Sequence, residues 1–374
     1  MTIQTTHVGS LPGPDDFDAA AAHTDDQLRA AVRWVVDRQR AIGLDIVNEG
    51  ELTKGGDWLS FMDARLGGFE ERPVPASPVI GQGRDREVFA DFYRRAAERQ
   101  TLFYTAGDRI KLARRYTAAT SPITYVGGES LRREIAMLQS VVDDPGRCFL
   151  TSTAPSSLEP YRGNEFYATA EEYVWALAEA LRVEYEAIAA AGFLLQVDDA
   201  WLVALWDRIG IQMGLDAFKG FCFTRVEALN HALRNVPEDR VRYHLCWGSW
   251  HGPHAFDIPM RDVVDVMLSV KAKYYSFEAA NVRHEHEYQV WERVPLPPGK
   301  VLIPGVITHS TDLIEHPELV SLRIQRFARL VGPERVIAGA DCGFGGRTHP
   351  QIAWAKLQSL VDGARLASAA LSRG

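Results

Sequence analysis

Tyr243-His244-Leu245-Cys246-Trp247-Gly248 decides how the rest of the chain is read. Residues 240–245, Arg-Val-Arg-Tyr-His-Leu, read as the end of a β-strand, and Gly248, Gly252 and Pro253 mark a loop beyond it. Side chains two apart on a strand point the same way, so His244 and Cys246 offer an imidazole and a thiol to one point in space. Two more strand ends offer completions: 273–277 runs into Glu278, and 336–340 runs into Asp341-Cys342-Gly343. Two sulfurs, one nitrogen and an oxygen suit zinc, a borderline-soft ion with no redox chemistry of its own. The competing reading is a cysteine-rich core, because free cysteine is commonly buried as a small hydrophobe.

Outward from this strand, helical and strand patterns alternate. Further strands are expected at 3–8, 44–48, 123–126, 148–151, 193–197 and 301–307, and helices at 25–42, 129–142, 170–191, 213–235, 260–271, 316–331 and 350–371. In the first helix Leu28, Val32, Val35, Val36 and Gln39 follow the 3.6 period, between Thr24 as N-cap and Gly43 just past the end. From about 52 to 120 the pattern is irregular, with Gly-Gly pairs at 55–56 and 67–68 and the run Pro73-Val74-Pro75-Ala76-Ser77-Pro78. That stretch reads as an elaborated loop or subdomain over a barrel mouth.

Strands alternating with helices of this length predict parallel β-structure with crossover helices, either a closed barrel or a doubly wound sheet. Ser10, Glu51, Asp198, His244 with Cys246, Glu278, His309 and Cys342 all fall at C-terminal strand ends. They converge on one face only in a (β/α)8 TIM barrel, so one catalytic barrel over 1–374 with an insertion at about 52–120 is expected. Nine candidate strands compete for eight places, which makes one an accessory, and 123–126 is the weakest member.

Composition fits an intracellular enzyme. Of 374 residues, 46% are hydrophobic, ample for a large core. Lys+Arg 41 against Asp+Glu 49 leaves a net charge of -8 with no basic run, which argues against nucleic acid or an anionic membrane as partner. Four cysteines do not make a disulfide framework. Met1-Thr2-Ile3-Gln4-Thr5 lacks the basic and then apolar pattern of a signal sequence, and no run of about 18 apolar residues occurs, so a cytoplasmic, soluble protein is expected.

Six motifs together resemble the C-terminal barrel of cobalamin-independent methionine synthase: Thr5-Thr6-His7-Val8-Gly9-Ser10-Leu11-Pro12, Gly50-Glu51, Gln196-Val197-Asp198-Asp199, His244-Leu245-Cys246, Glu278 and Asp341-Cys342-Gly343. The resemblance runs from about residue 3 to 370. It implies that His244, Cys246, Glu278 and Cys342 hold a zinc ion that activates a thiol, and that Ser10, Glu51 and Asp198 hold the thiol's amino and carboxylate groups, the thiol being homocysteine in the synthases.

The sequence also departs from that family. Full-length synthases carry a second, N-terminal barrel that helps hold the polyglutamylated folate, and this sequence starts directly at the catalytic barrel. The family's Asp-Glu-Pro-Ala-Leu is here Asp198-Asp199-Ala200-Trp201-Leu202, and its Asn-Trp-Ser pterin segment has no counterpart near Thr153-Ala154-Pro155-Ser156. Cys246-Trp247-Gly248, Gly252-Pro253-His254, the segment from Glu278 to Glu285 and Gly305-Val306-Ile307-Thr308-His309 look more like the stand-alone branch that includes the epoxyalkane:coenzyme M transferases. These share the zinc and the thiol nucleophile but alkylate it with something other than methylfolate.

Chemistry explains the residue types. A free thiol has a pKa of about 8.5, and coordination to zinc deprotonates it outright. Glu278 is then the exchangeable ligand, because a carboxylate is easier to displace than a thiolate. A donor with a poor leaving group also needs a proton, which makes His309 the candidate general acid; the rate would fall as it deprotonates above about 6.5 unless its pKa is raised. Its plainer reading is a strand-end histidine capping a helix. Arg347, in the Gly-rich turn after the last strand, is placed to hold a substrate carboxylate, sulfonate or phosphate.

Other groups carry less. Glu49 and Glu51 resemble a glycosidase pair but sit two apart on one strand. His284-Glu285-His286-Glu287 reads as a solvated face, Cys148 and Cys222 as core, and Trp247 and Trp250 as packing under a lid or a substrate wall. Three functions follow: zinc-dependent alkyl or methyl transfer to or from the sulfur of a small thiol; a methionine synthase core that passes methyl from methylfolate or a methylcorrinoid to homocysteine; or a metal-free decarboxylase of the uroporphyrinogen type on a related barrel.

Overall fold

Thr24 caps the first long helix as the pattern predicts. Its hydroxyl accepts from the Gln27 amide, and the Gln27 side chain accepts in turn from the Thr24 amide at 3.0 Å. The helix Asp25–Ile42 buries Leu28, Val32, Val35, Val36 and Gln39 and ends at Gly43, whose φ of 96° only glycine adopts freely. Gln39 grips the next segment: its side chain donates to the Asn48 carbonyl at 2.7 Å and accepts from the Asn48 amide at 3.1 Å.

The computed structural model describes residues 2–19, 21–55, 59–102 and 116–373. Its strands are β1 (Gln4–Thr5), β2 (Leu66–Glu71), β3 (Thr117–Tyr125), β4 (Phe149–Thr153), β5 (Arg162–Asn164), β6 (Leu194–Asp199), β7 (Val241–Leu245), β8 (Tyr274–Phe277), β9 (Val301–Ile307) and β10 (Ile337–Ala340). Seven of them form one curled parallel sheet in the order β1-β10-β9-β8-β7-β6-β4. Residues 44–48 run between its two ends. The Ile46 amide donates to Thr5 at 3.1 Å on one side, and the Val47 amide to Arg147 at 3.2 Å on the other. Val47 also bridges Cys148 in the parallel sense.

Strands buried on both faces need apolar side chains inward and outward. Inside the curl, Ile46, Phe149, Leu194, Ile303 and Ile337 form an apolar plug. Arg242 crosses the interior fully buried, donating to Thr6 Oγ1 at 3.1 Å and to the His7 carbonyl at 2.8 Å, with its guanidinium 3.9 Å from the Phe149 ring centre. Outside, the helices Gly128–Gln139, Ala170–Ala190, Leu215–Ala232, Met260–Leu268, Pro317–Val331 and Pro350–Leu371 stand where the periodicity puts them. None of the described helices is long and apolar enough to cross a membrane.

The surplus strand is the one at 123–126. It belongs to β3, which leaves the main sheet and pairs antiparallel with β2 and parallel with β5. The irregular stretch thus forms a small three-stranded sheet, and adds two short helices, Arg84–Val88 and Ala90–Arg99. A buried ionic network ties it to the helices Gly128–Gln139 and Ala170–Ala190 that cover the main sheet. Lys54 Nζ lies 2.9 Å from Glu134 and 3.4 Å from Glu49, and Arg65 pairs with Glu134 and, at 3.0 Å, with Glu184.

Candidate active site

β6, β7 and β8 end side by side, with Asp198 in register with His244 and His244 with Ser276. The strand pleat turns His244 inward beside Asp198, and its Nδ1 comes within 3.1 Å of Ser276 Oγ. When Nδ1–H donates there, Nε2 keeps its lone pair. That Nε2 is buried and has no hydrogen-bond partner. The ligating atoms of His244, Cys246 and Cys342 all lie within 4.8 Å of one another. An orphaned imidazole nitrogen facing two sulfurs fits the donor set of a zinc ion. Cys342 comes from beyond a register shift between Gly339 and Ala340 in β10, which breaks the simple alternation of that strand.

Glu278 stands just outside this group. Its Oε1 lies 3.5 Å from Cys246 Sγ and accepts from the Trp247 amide at 2.9 Å, while Oε2 accepts from Asn281 at 2.8 Å. Asp341 pins the same loop by accepting from the Ala279 and Ala280 amides at 2.7 and 2.8 Å. Gly305 makes room for it, since a Cβ there would fall 2.0 Å from Asp341 Oδ1.

Burial sets the charges. It pushes Glu278 up to about 7, with His284 opposing and Asp341 adding to the rise. Asp198 is also pushed up to about 7 by burial, with His244 opposing. Burial raises Glu51 as well, against the pull of Lys54. Cys342 moves the other way, held well below its ordinary value by the hydrogen bond from Cys246, with Arg347 and His244 helping against burial. Cys246 moves up in turn, raised well above its ordinary value by its hydrogen bond to Cys342 and by burial, so one proton is shared unequally between the two sulfurs.

A cavity of about 310 Å³ opens over these groups, with Ser10, Glu51, Asp198, His244, Cys246, Cys342 and Arg347 on its wall. Ser10 is fixed by its carbonyl, which accepts from the Phe344 and Gly345 amides at 2.9 and 3.1 Å. Glu51 sits at φ 60°, an uncommon conformation for a non-glycine residue, and accepts from Thr151 at 2.8 Å. Asp198 accepts from Gln196 at 2.8 Å, and Arg347 donates to Ser249 and to the Gly345 carbonyl.

Several expectations change. His309 is buried, with its Nδ1 unpartnered. Burial pushes it down to about 4, so His309 itself does not supply an alkaline fall in rate near 6.5. His284 is not on a solvated face: it is 3% exposed, 2.8 Å from Glu287 and 3.3 Å from Asp257, and its ring packs on Trp247. Glu49 is buried against Lys54 while Glu51 faces the cavity. Cys148 and Cys222 are free, buried core residues, as expected. Trp247 is core and Trp250 is wall. Sequence reasoning gave no role to Asn281, Arg86, Arg208 or Trp201. Asn281, three residues past Glu278, was within reach of a spacing argument; Arg86 and Arg208 carried no local signal.

No protein-family model matches the chain. It is 21% identical over 416 aligned residues, covering all of this chain and 97% of the relative, to a 2-hydroxypropyl-CoM lyase from Xanthobacter autotrophicus. To a methionine synthase from Thermococcus kodakarensis it is 24% identical over 224 residues, a match spanning 59% of this chain and 57% of that protein. A B12-independent methionine synthase from a Shewanella species, solved with selenomethionine, superposes with a TM-score of 0.73 at 18% identity over the whole of both chains. At that identity the superposition speaks to the fold. Together these similarities bear out the resemblance read from the motifs.

Proposed function

We propose, from this kinship with methionine synthases and 2-hydroxypropyl-CoM lyase, that the chain is an enzyme that moves an alkyl or methyl group to or from the sulfur of a small thiol in a zinc-dependent reaction. The observation that carries this reading is the unpartnered His244 Nε2 facing two sulfurs on the cavity wall. A zinc ion held by His244, Cys246 and Cys342 would keep the substrate sulfur ionised and nucleophilic at neutral pH. The chain's own residues supply the rest. Ser10, Glu51 and Asp198 orient the polar groups of the thiol, and Arg347 holds its acidic group. Glu278, gripped by Trp247 and Asn281, is the exchangeable fourth ligand. His309, the expected proton donor, is neutral and would act by hydrogen-bonding its N–H to the charge that develops on the leaving group, whose proton then comes from water. The plug below and the insertion beside the cavity limit water. Residues 44–48 supply the eighth staves of a closed barrel, and the protein works in the cytoplasm with its thiols reduced.

A second reading keeps the site but specifies homocysteine as acceptor and methylfolate or a methylcorrinoid as donor. Glu51 and Asp198 favour it, because two carboxylates on the wall suit the ammonium of an amino-acid thiol. The metal-free decarboxylase reading has no use for two sulfurs and an open imidazole nitrogen at one point.

A donor and acceptor screen on zinc-replete protein tests the proposal, with homocysteine and coenzyme M as acceptors, and methylfolate, a methylcorrinoid and short epoxides as donors. S-alkylated product, followed by mass and lost on chelation, is expected. Activity that survives complete removal of zinc would overturn the reading.

A further inference from the structure

We propose that Arg86 and Arg208 form an anion-binding subsite on the cavity wall that takes the carboxylate, sulfonate or phosphate of the alkyl donor. The assignment rests on the thiol-transfer reading above and names the class of its second substrate.

Arg208 lies in a π-helical turn, Trp206–Gly210, an irregularity frequent at functional sites. It is 5% exposed, and its guanidinium sits 5.2 Å from the Trp250 ring centre and 6.0 Å from that of Trp201. Arg86 reaches the same wall from the helix Arg84–Val88 of the insertion, its guanidinium 4.4 Å from the Tyr93 ring centre. Both Nε atoms are buried and without a hydrogen-bond partner.

The nearby carboxylates leave Arg86 and the Nε of Arg208 unanswered. Asp85 accepts from Tyr93 at 2.6 Å and from the Ala255 amide at 2.9 Å. Asp207 accepts from the Asp85 amide at 3.0 Å and pairs with one Arg208 nitrogen. Among the described residues no carboxylate forms an ion pair with Arg86. Two guanidinium groups near enough to oppose each other's charge are thus held on a largely buried wall, and an anion is what relieves them. The arrangement is rigid: Gly83, at φ +127°, packs so closely that a Cβ would fall 2.6 Å from Arg208 Nη1.

The position argues for the donor rather than the thiol. The strand ends carry the sulfur ligands and the groups assigned to the thiol, with Arg347 bound into the loop beside Ser10. Arg86 and Arg208 come from the insertion and from the segment after β6. Beside Arg208 on the same wall, Trp201 and Trp250 present near-parallel rings, 6.4 Å apart with planes 16° from parallel. An organic anion with a flat or apolar body fits that surface, whereas a short uncharged alkyl donor leaves Arg86 and the Nε of Arg208 unanswered.

Phenylphosphonate and benzoate serve as probes, with benzamide as the neutral control, titrated by tryptophan fluorescence against zinc-replete wild type, Arg86→Gln, Arg208→Gln and Cys246→Ser. Saturable anion binding is expected in wild type and in Cys246→Ser alike, weakened tenfold or more in each arginine variant, with benzamide weak throughout. Arg86 is less buried than Arg208, so Arg86→Gln keeps the test valid if Arg208→Gln fails to fold. Absence of anion binding by wild type, or unchanged affinity in Arg86→Gln, overturns the subsite. So does an Arg86→Gln variant that loses homocysteine or coenzyme M binding while holding phenylphosphonate normally. Zinc content, measured on the same samples, reports separately on the thiol-transfer reading: a zinc-free wild type that binds phenylphosphonate through both arginines sinks that reading and leaves the subsite.

Discussion

Cys246 Sγ and Glu278 Oε1 lie 3.5 Å apart, yet the carboxylate remains outside the group formed by His244, Cys246 and Cys342. Trp247 and Asn281 hold its two oxygens at 2.9 and 2.8 Å, which steadies it without fixing it among the ligating atoms. Glu278→Gln is expected to keep most of the zinc while shifting thiol affinity by about tenfold, the scale of changes to groups that support a metal site. Metal analysis with thiol titration checks this, and complete loss of zinc would make Glu278 a permanent ligand.

Replacing either sulfur should act on the metal directly. Wild-type protein is expected to hold about one zinc per chain, and Cys246→Ser or Cys342→Ser to hold almost none. Cys148→Ser and Cys222→Ser, both in the core, should retain zinc and lose about 1–3 kcal/mol of stability for the buried hydroxyl. Full zinc in both Cys246→Ser and Cys342→Ser would sink the site.

Burial holds His309 down at about 4, so it is neutral throughout the working range. His309→Phe should slow turnover by about 10²-fold, the usual worth of one hydrogen-bond donor to developing charge, without altering the shape of the rate profile between pH 6 and 9. An alkaline limb near 6.5 that disappears in the variant would show that the histidine titrates where its burial says it does not.

Lys54 is fully buried between Glu49, Glu134 and Thr151. Lys54→Met leaves carboxylates without their cation and should cost about 3–5 kcal/mol by urea unfolding. The pair Lys54→Met with Glu134→Leu should recover part of that loss. Equal stability of the single variant and wild type would mean the carboxylates are already protonated.

His284 offers a pH signature. Burial acts to lower its pKa, but hydrogen bonds to Asp257 and Glu287 prevail and raise it to about 10. A base raised in the folded state contributes stability that is fully present below its unfolded value of about 6.5 and is lost as pH rises through about 10. Wild type should therefore lose stability across that window, and His284→Gln should flatten the slope. Parallel stability curves for the two proteins from pH 6 to 10 would refute the charged histidine.

The sequence by itself determined the strand ends, the helix starts and the donor types of the candidate metal site, because these follow from short-range rules. The two-residue period put His244 and Cys246 on one side, Thr24 and Gly43 bounded a helix, and Asp341-Cys342 could be placed just past a strand. What only the tertiary structure decided was which distant groups meet and how deeply they are buried. The strand at 123–126 had the local pattern of a main-sheet member, but its partner is β2, a choice made by long-range pairing. Glu278 stands back because Trp247 and Asn281 hold its oxygens, and His284 is buried because Asp257 and Glu287 close around it. His309 loses its charge to desolvation, which no neighbour in the chain encodes. Arg86 and Arg208, 122 positions apart by their numbers, become one charged wall only when the insertion docks on the turn after β6.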